Sequence, residues 1–181
     1  MRGLGLTGVV LAIVVGTSGL LAAGQTKPAA PANPVLVFET LKGTFEIELF
    51  QSEAPKSVEH ILELMKRGFY RAQRIHRVEK SLAQFGDPLS RDMTKQSFWG
   101  TGSSNRTIGV FELSKKRSHV RGAVGLGHSG NPAFADSQMY IMKVNNPGLD
   151  GKYAIIGRVT VGMTVIDKLV VTDIIKDTRV K

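Results

Sequence analysis

Apolar and polar residues alternate from Val35 to Thr40 and again from Thr44 to Leu49, the period of a half-buried strand. Leu41-Lys42-Gly43 lies between them, with a glycine suited to a tight connection, so the two runs are predicted to form a hairpin. Ala54-Pro55 then opens a stretch in which Val58, Ile61, Leu62 and Met65 recur at helical spacing, with Gly68 placed to end it. That pattern predicts an amphipathic helix packed on a sheet. Short strand-like pieces separated by glycines follow at Arg74 to Val78, Ala123 to Leu126, Gln138 to Val144 and Tyr153 to Val159. A second short helix is expected around Met163 to Leu169, and β structure over Val170 to Ile175. Many short strands with few helices argue for an antiparallel barrel or sandwich over a stack of βαβ units.

The N-terminal region follows a different grammar. After Arg2 nothing ionisable appears before Lys27, and the most apolar stretch, Val9 to Val15, is followed by small residues at Ala22 and Gly24. A basic start, an apolar middle and a small-residue exit are the marks of a secretory signal, with cleavage expected near Gly24. An uncleaved membrane anchor over residues 4–23 is the alternative, because a span needs about 20 apolar residues. In both cases the body is expected outside the cytoplasm, periplasmic or extracellular. Residues 25–33 (QTKPAAPAN) read as a Pro/Ala-rich linker, which leaves one folded domain over residues 34–181.

Composition narrows the function classes. The chain has 181 residues, 42% of them hydrophobic, which is room for one ordinary domain with a substantial core. It has no cysteine, which excludes disulfides, thiolate nucleophiles and Cys-bearing zinc sites. The net charge of +9 raises the question of a polyanionic partner such as an envelope polymer. Lys115-Lys116-Arg117 is, however, one short run without interleaved aromatics, so no nucleic-acid partner is expected. The four histidines, His60, His76, His119 and His128, are too scattered for a metal-ligand spacing, and no metal or cofactor is expected.

Two motif matches fail on physical grounds. Gly125-Leu126-Gly127-His128-Ser129-Gly130 is a literal GxGxxG, but Asn131-Pro132 and a strand-like run follow where a pyrophosphate site needs a helix. Ser129 lacks the glycine two residues on that a nucleophile elbow requires.

The unusual chemistry lies in Ile75-His76-Arg77-Val78, where charge interrupts an apolar strand, and in Gln84-Phe85-Gly86-Asp87 just after it. Further on come His119-Val120-Arg121-Gly122, Ser137-Gln138-Met139-Tyr140-Ile141 and Leu149-Asp150-Gly151-Lys152-Tyr153. In order and spacing these blocks resemble the cyclophilin family of peptidyl-prolyl cis-trans isomerases across essentially the whole domain. The resemblance implies a mainly β fold: a closed eight-stranded antiparallel barrel capped by two helices. It implies rotation about X-Pro peptide bonds, proline-containing peptides and unfolded exported proteins as partners, and a monomer that assists folding.

By the same matching, Arg77 is the implied catalytic residue. His76, Leu82, Gln84, Gly127, His128, Gln138, Tyr140, Leu149 and Tyr153 are the implied substrate-binding residues. Leu82, Tyr140 and Leu149 would line the pocket for the proline ring, and Gly127 with His128 would form an edge along which an extended peptide lies. The chain departs from the family between Arg77 and Gln84, which is one residue shorter and has Lys80-Ser81 where Pro-Gly is usual. Leu82 replaces an aromatic, Phe85 is the candidate to fill the space it leaves, and Gly148 stands where a tryptophan is common. These departures keep open a second reading, a catalytically weak or inactive peptide-binding scaffold.

Overall fold

The computed structural model describes residues 32–181. The expected signal segment, and the linker up to residue 31, lie outside the described residues. The hairpin is formed by β1 (Val35–Thr40) and β2 (Gly43–Leu49), paired from Val35 opposite Glu48 to Thr40 opposite Gly43. Gly43 carries the turn at φ +125°, a conformation costly to any residue with a Cβ. Phe45, Ile47 and Leu49 of β2 are buried at every second position, as the alternation requires.

Helix α1 (Pro55–Lys66) turns Val58, Ile61, Leu64 and Met65 inward. Ala54 offers no side-chain cap to its first turn. Glu112, from a distant loop, accepts the backbone N–H groups of Lys56 (3.0 Å) and Ser57 (2.7 Å) instead. The remaining elements are β3 (Arg77–Val78), β4 (Leu82–Phe85), β5 (Ala123–Leu126), β6 (Met139–Met142), β7 (Ile155–Val161), α2 (Met163–Lys168) and β8 (Ile175–Val180). All the ladders are antiparallel, and the strand order is β3-β4-β6-β5-β7-β2-β1-β8.

Two expectations need correction here. The eight-stranded sheet is curled but open, with β3 and β8 as its edges, and is not the closed barrel expected from the resemblance. Across the gap runs only an isolated bridge, Arg74 to Ile174, supported by hydrogen bonds such as Ile75 N–H to Asp173 C=O (2.8 Å). The cause is local: β3 is two residues long, and Thr172 at φ +82° turns the other chain before a ladder can extend. For the same reason only Ile174 and Ile175 of the stretch Val170 to Ile175 take up β pairing, after a turn at residues 171–172. The last strand begins at Ile175, with Asp177 and Arg179 directed to ion pairs with Arg71 and Glu39.

The core has two parts. Inside the curl, Phe38 stacks on Phe45 with centroids 5.0 Å apart, and Tyr70 and Phe85 meet Phe38 edge-on. A smaller cluster of Phe50, Leu82, Ala123, Tyr140, Met142 and Ile155 lies apart from it, with Leu149 and Tyr153 packed against it. Strands β5 and β6 are therefore buried on both faces, which is why they read as continuous apolar runs.

Candidate functional site

One row of residues crosses the sheet. Register places Arg77 of β3 opposite Gln84 of β4, Gln84 opposite Tyr140 of β6, Tyr140 opposite Gly125 of β5, and Gly125 opposite Ile155 of β7. Because side chains alternate between faces, Leu82 lies on the same face as Gln84, while Ala83 and Phe85 point into the main core. Phe85 therefore does not fill the space next to Leu82. It is fully buried among Phe38, Phe45 and Tyr70.

A cavity of about 140 Å³ sits on this row, lined by Arg77, Leu82, Gln84, Gly127, His128, Tyr140, Leu149 and Tyr153. The residues expected to surround a proline ring are thus gathered around one hollow. A second groove of about 490 Å³ shares Arg77, Gln84, Gly127 and His128 with it, and adds Gln138, the Gly100 to Ser103 loop and Phe134. His76 lines neither hollow, contrary to the reading from the motif. Its ring is half-buried beside Gly100, and neither ring nitrogen has a hydrogen-bond partner. Burial, with a smaller push from Arg77, lowers its pKa to about 4 against the opposing pull of Asp87.

Arg77 belongs to a chain of hydrogen bonds. Its Nη1 donates to Gln84 Oε1 (3.2 Å), Gln84 Nε2 donates to Gln138 Oε1 (2.8 Å), and Gln138 Nε2 donates to the carbonyls of Gly100 and Gly102, each at 2.9 Å. Both ends of each amide are used, so neither is free to flip. The loop at the far end is tied down as well. Buried Asp87 accepts the N–H groups of Leu89 (2.7 Å), Gly100 (2.5 Å) and Gly102 (3.1 Å).

The floor of the small cavity is also braced. His119, fully buried, contacts Asp150 Oδ1 through Nδ1 (2.6 Å) and the Tyr140 hydroxyl through Nε2 (2.7 Å). Hydrogen bonds from Ser118 and from the His119 ring and backbone hold the Asp150 carboxyl at a pKa of about 2. An ionised carboxylate only accepts, so Nδ1 carries the proton, and in the neutral ring Nε2 accepts from the tyrosine. Burial and the nearby Tyr153 and Asp150 raise the Tyr140 pKa and keep its phenol protonated. Tyr153 meets Tyr140 edge-on and lies 4.5 Å, centroid to centroid, from the His128 ring, whose Nε2 is 3.0 Å from the Lys152 carbonyl.

Reasoning from the sequence missed five participants. The roles of His119 and Asp150 were within reach, since both stand in quoted motif blocks. Glu79, whose Oε1 accepts from Arg77 Nε (2.8 Å) and lies 2.6 Å from Nη2, had no motif to mark it; its signal was the strand period, which puts positions 77 and 79 on one face. The Gly100 and Gly102 carbonyls carry no sequence signal, because any residue has a carbonyl. Among the described residues no three His, Asp or Glu side chains gather to hold a metal ion. The GxGxxG match runs from β5 into a short 3-10 turn at Pro132–Phe134, without the helix a pyrophosphate needs.

Residues 35–181 match the family described as cyclophilin type peptidyl-prolyl cis-trans isomerase/CLD. The chain is 37% identical over 153 residues to a probable peptidyl-prolyl cis-trans isomerase of Brucella suis, covering 82% of this chain and 78% of that protein. It is 33% identical over 141 residues to a peptidyl-prolyl cis-trans isomerase of Helicobacter pylori, covering 76% of this chain and 81% of that one. Among solved structures, a cyclophilin-type isomerase of Cryptosporidium parvum superposes with a TM-score of 0.72 at 24% identity, over 82% of this chain and 98% of its own. With a family model over residues 35–181 and relatives above 30% identity over most of its length, the chain belongs to the cyclophilin-type peptidyl-prolyl cis-trans isomerase family.

Proposed function

We propose that this protein catalyses cis/trans rotation about X-Pro bonds in exported proteins, with Arg77 as the donor that favours the twisted amide. Rotation must cross a barrier of ~18–20 kcal/mol that arises from amide resonance. In the twisted state the prolyl nitrogen regains lone-pair character, and a fixed cationic N–H aimed at it stabilises that state more than the planar ones. No covalent intermediate is needed. The observation that carries this reading is the position of Arg77, at the rim shared by the small apolar cavity and the longer groove, with Gln84 holding its guanidinium. A proline ring resting on Leu82, Tyr140 and Leu149 brings its nitrogen to that rim, while the flanking peptide runs along Gly127 and His128. The Cryptosporidium parvum cyclophilin has also been crystallised in the presence of the dipeptide Ala-Pro, which supports a proline-containing ligand for this fold.

The direct test is isomerase turnover of an X-Pro peptide by the full chain beside Arg77→Ala. Turnover should fall by about 10²-fold or more, the scale of removing one transition-state donor. Equal rates would remove Arg77 from the mechanism. Peptide binding with no rate enhancement in either protein would favour the scaffold reading. Export is tested by fractionating cells and sequencing the N-terminus of the mature protein, which should begin close to Gln25; a cytoplasmic chain retaining Met1 would overturn it.

A further inference from the structure

We propose that Glu79 is a positioning residue that restrains Arg77, so that this enzyme rests with its cationic donor partly neutralised and turns over more slowly than the same site would without the carboxylate. The inference builds on the assignment of Arg77 as the catalytic donor.

The contact follows from the shortened segment noted in the sequence. Lys80-Ser81 joins β3 to β4 in a tight turn closed by Glu79 N–H to the Leu82 carbonyl (2.8 Å). That turn keeps residue 79 in an extended continuation of β3, two positions from Arg77, where the strand period returns it to the same face. Its Oε1 meets both Nε (2.8 Å) and Nη2 (2.6 Å) of Arg77, and Ser81 Oγ, 3.4 Å away, faces its other oxygen. With Gln84 taking Nη1, three of the five N–H donors of the guanidinium are engaged. Nothing in the core depends on Glu79, which is 46% exposed and packs in neither apolar cluster. Gln84, itself held by Gln138, already orients Arg77 from the other side.

The carboxylate therefore adds charge and competition more than alignment. A planar prolyl amide offers its nitrogen to no donor, whereas the twisted amide does. An acceptor that draws the guanidinium aside, and offsets its charge, opposes the twisted state more than the ground state. The effect should appear in kcat more than in KM. Arg77 is itself 51% exposed, so solvent weakens the pair, and the restraint is expected to be worth about three- to fivefold in rate and no more.

The test measures kcat and KM on a neutral X-Pro peptide for the parent chain, Glu79→Gln and Glu79→Ala, each with Arg77 intact and with Arg77→Ala. With Arg77 present, both Glu79 variants should raise kcat about three- to fivefold with a smaller change in KM; with Arg77→Ala they should change nothing. A proton-exchange measurement on Arg77 Nε–H by nitrogen-15 NMR should show faster exchange in Glu79→Gln, a readout that general loosening of the fold would not confine to one guanidinium. Should Arg77→Ala lose activity while the Glu79 variants equal or fall below the parent, the restraint is overturned and the catalytic assignment stands. A rise of the same size without Arg77 overturns the restraint as well. If Arg77→Ala matches the parent, the catalytic assignment falls first and the restraint with it.

Discussion

Gly125 faces Tyr140 directly across β5 and β6, and a Cβ at position 125 would lie 2.3 Å from the hydroxyl oxygen and Cζ of that tyrosine. The ring has no easy retreat, because the hydroxyl is held by buried His119. Gly125→Ala should therefore cost about 1–3 kcal/mol of stability, the range for overpacking, and raise KM for X-Pro peptides. Tyr140→Phe, which keeps the ring but orphans His119 Nε2, should cost ~1–2 kcal/mol. Urea midpoints of the two variants check both, and midpoints equal to the parent's would show that the cavity floor is not braced as described.

Gln138 ties the row of Arg77 and Gln84 to the loop at Gly100 and Gly102. Gln138→Leu keeps similar bulk but frees two carbonyls and one end of the Gln84 amide. The expected outcome is a fall of about tenfold in kcat, since small misplacements of a transition-state donor are costly. Gln138→Glu restores an acceptor for Gln84 but cannot donate to the loop carbonyls, and should give an intermediate rate.

Acid stability should depend on His76. Its pKa is lowered to about 4 in the folded chain from an ordinary 6.5, so the unfolded chain takes up the proton first as pH falls. Stability is then complete above pH 6.5 and is lost progressively as pH drops through about 4, by ~2–3 kcal/mol in total from this ring. Asp150 acts lower: its carboxylate supports the fold above its ordinary 3.8 and that support goes as pH falls through about 2. Urea midpoints measured from about pH 7 to about pH 4.5 should fall for the parent and stay flatter for His76→Gln.

Glu112 caps α1 from a loop that has no regular structure of its own. Replacing it with alanine leaves two first-turn N–H groups without their acceptor and should lower stability by about 1 kcal/mol. Hydrogen exchange should quicken at Lys56 and Ser57 while the amides of β1 and β2 keep their protection.

What the sequence discloses, and what it hides, follows from where each signal originates. The hairpin, α1 and β5 were legible because their burial has a simple period or because glycines bracket them. Strand β4 was not, since Leu82-Ala83-Gln84-Phe85 serves two cores and its one polar residue faces the site. The mixed charges of Lys176, Asp177 and Arg179 hid β8, whose outward residues pair with neighbours far away in sequence. Motif matching located Arg77, Gln84, Tyr140, Leu149 and Tyr153 around the small cavity because register does the gathering. His76, next to Arg77 in sequence, lines neither hollow. The Glu112 cap and the Glu79 contact depend on turn geometry, which a motif does not record.

The open seam between β3 and β8 gives the site a particular mechanical position. Arg74, the bridging residue, and Ile75, bonded on both its N–H and C=O to the far side, immediately precede His76 and Arg77. The row of site residues thus begins beside this seam, while Tyr140 and Gly125 lie toward the middle of the sheet, on strands paired on both sides. Arg77 enters the site from the seam, whereas the cavity floor is carried by strands in the interior of the sheet. A substitution at Arg74 or Ile75 therefore lies close to Arg77 in the chain but is separated by β4 from the Tyr140 floor of the small cavity.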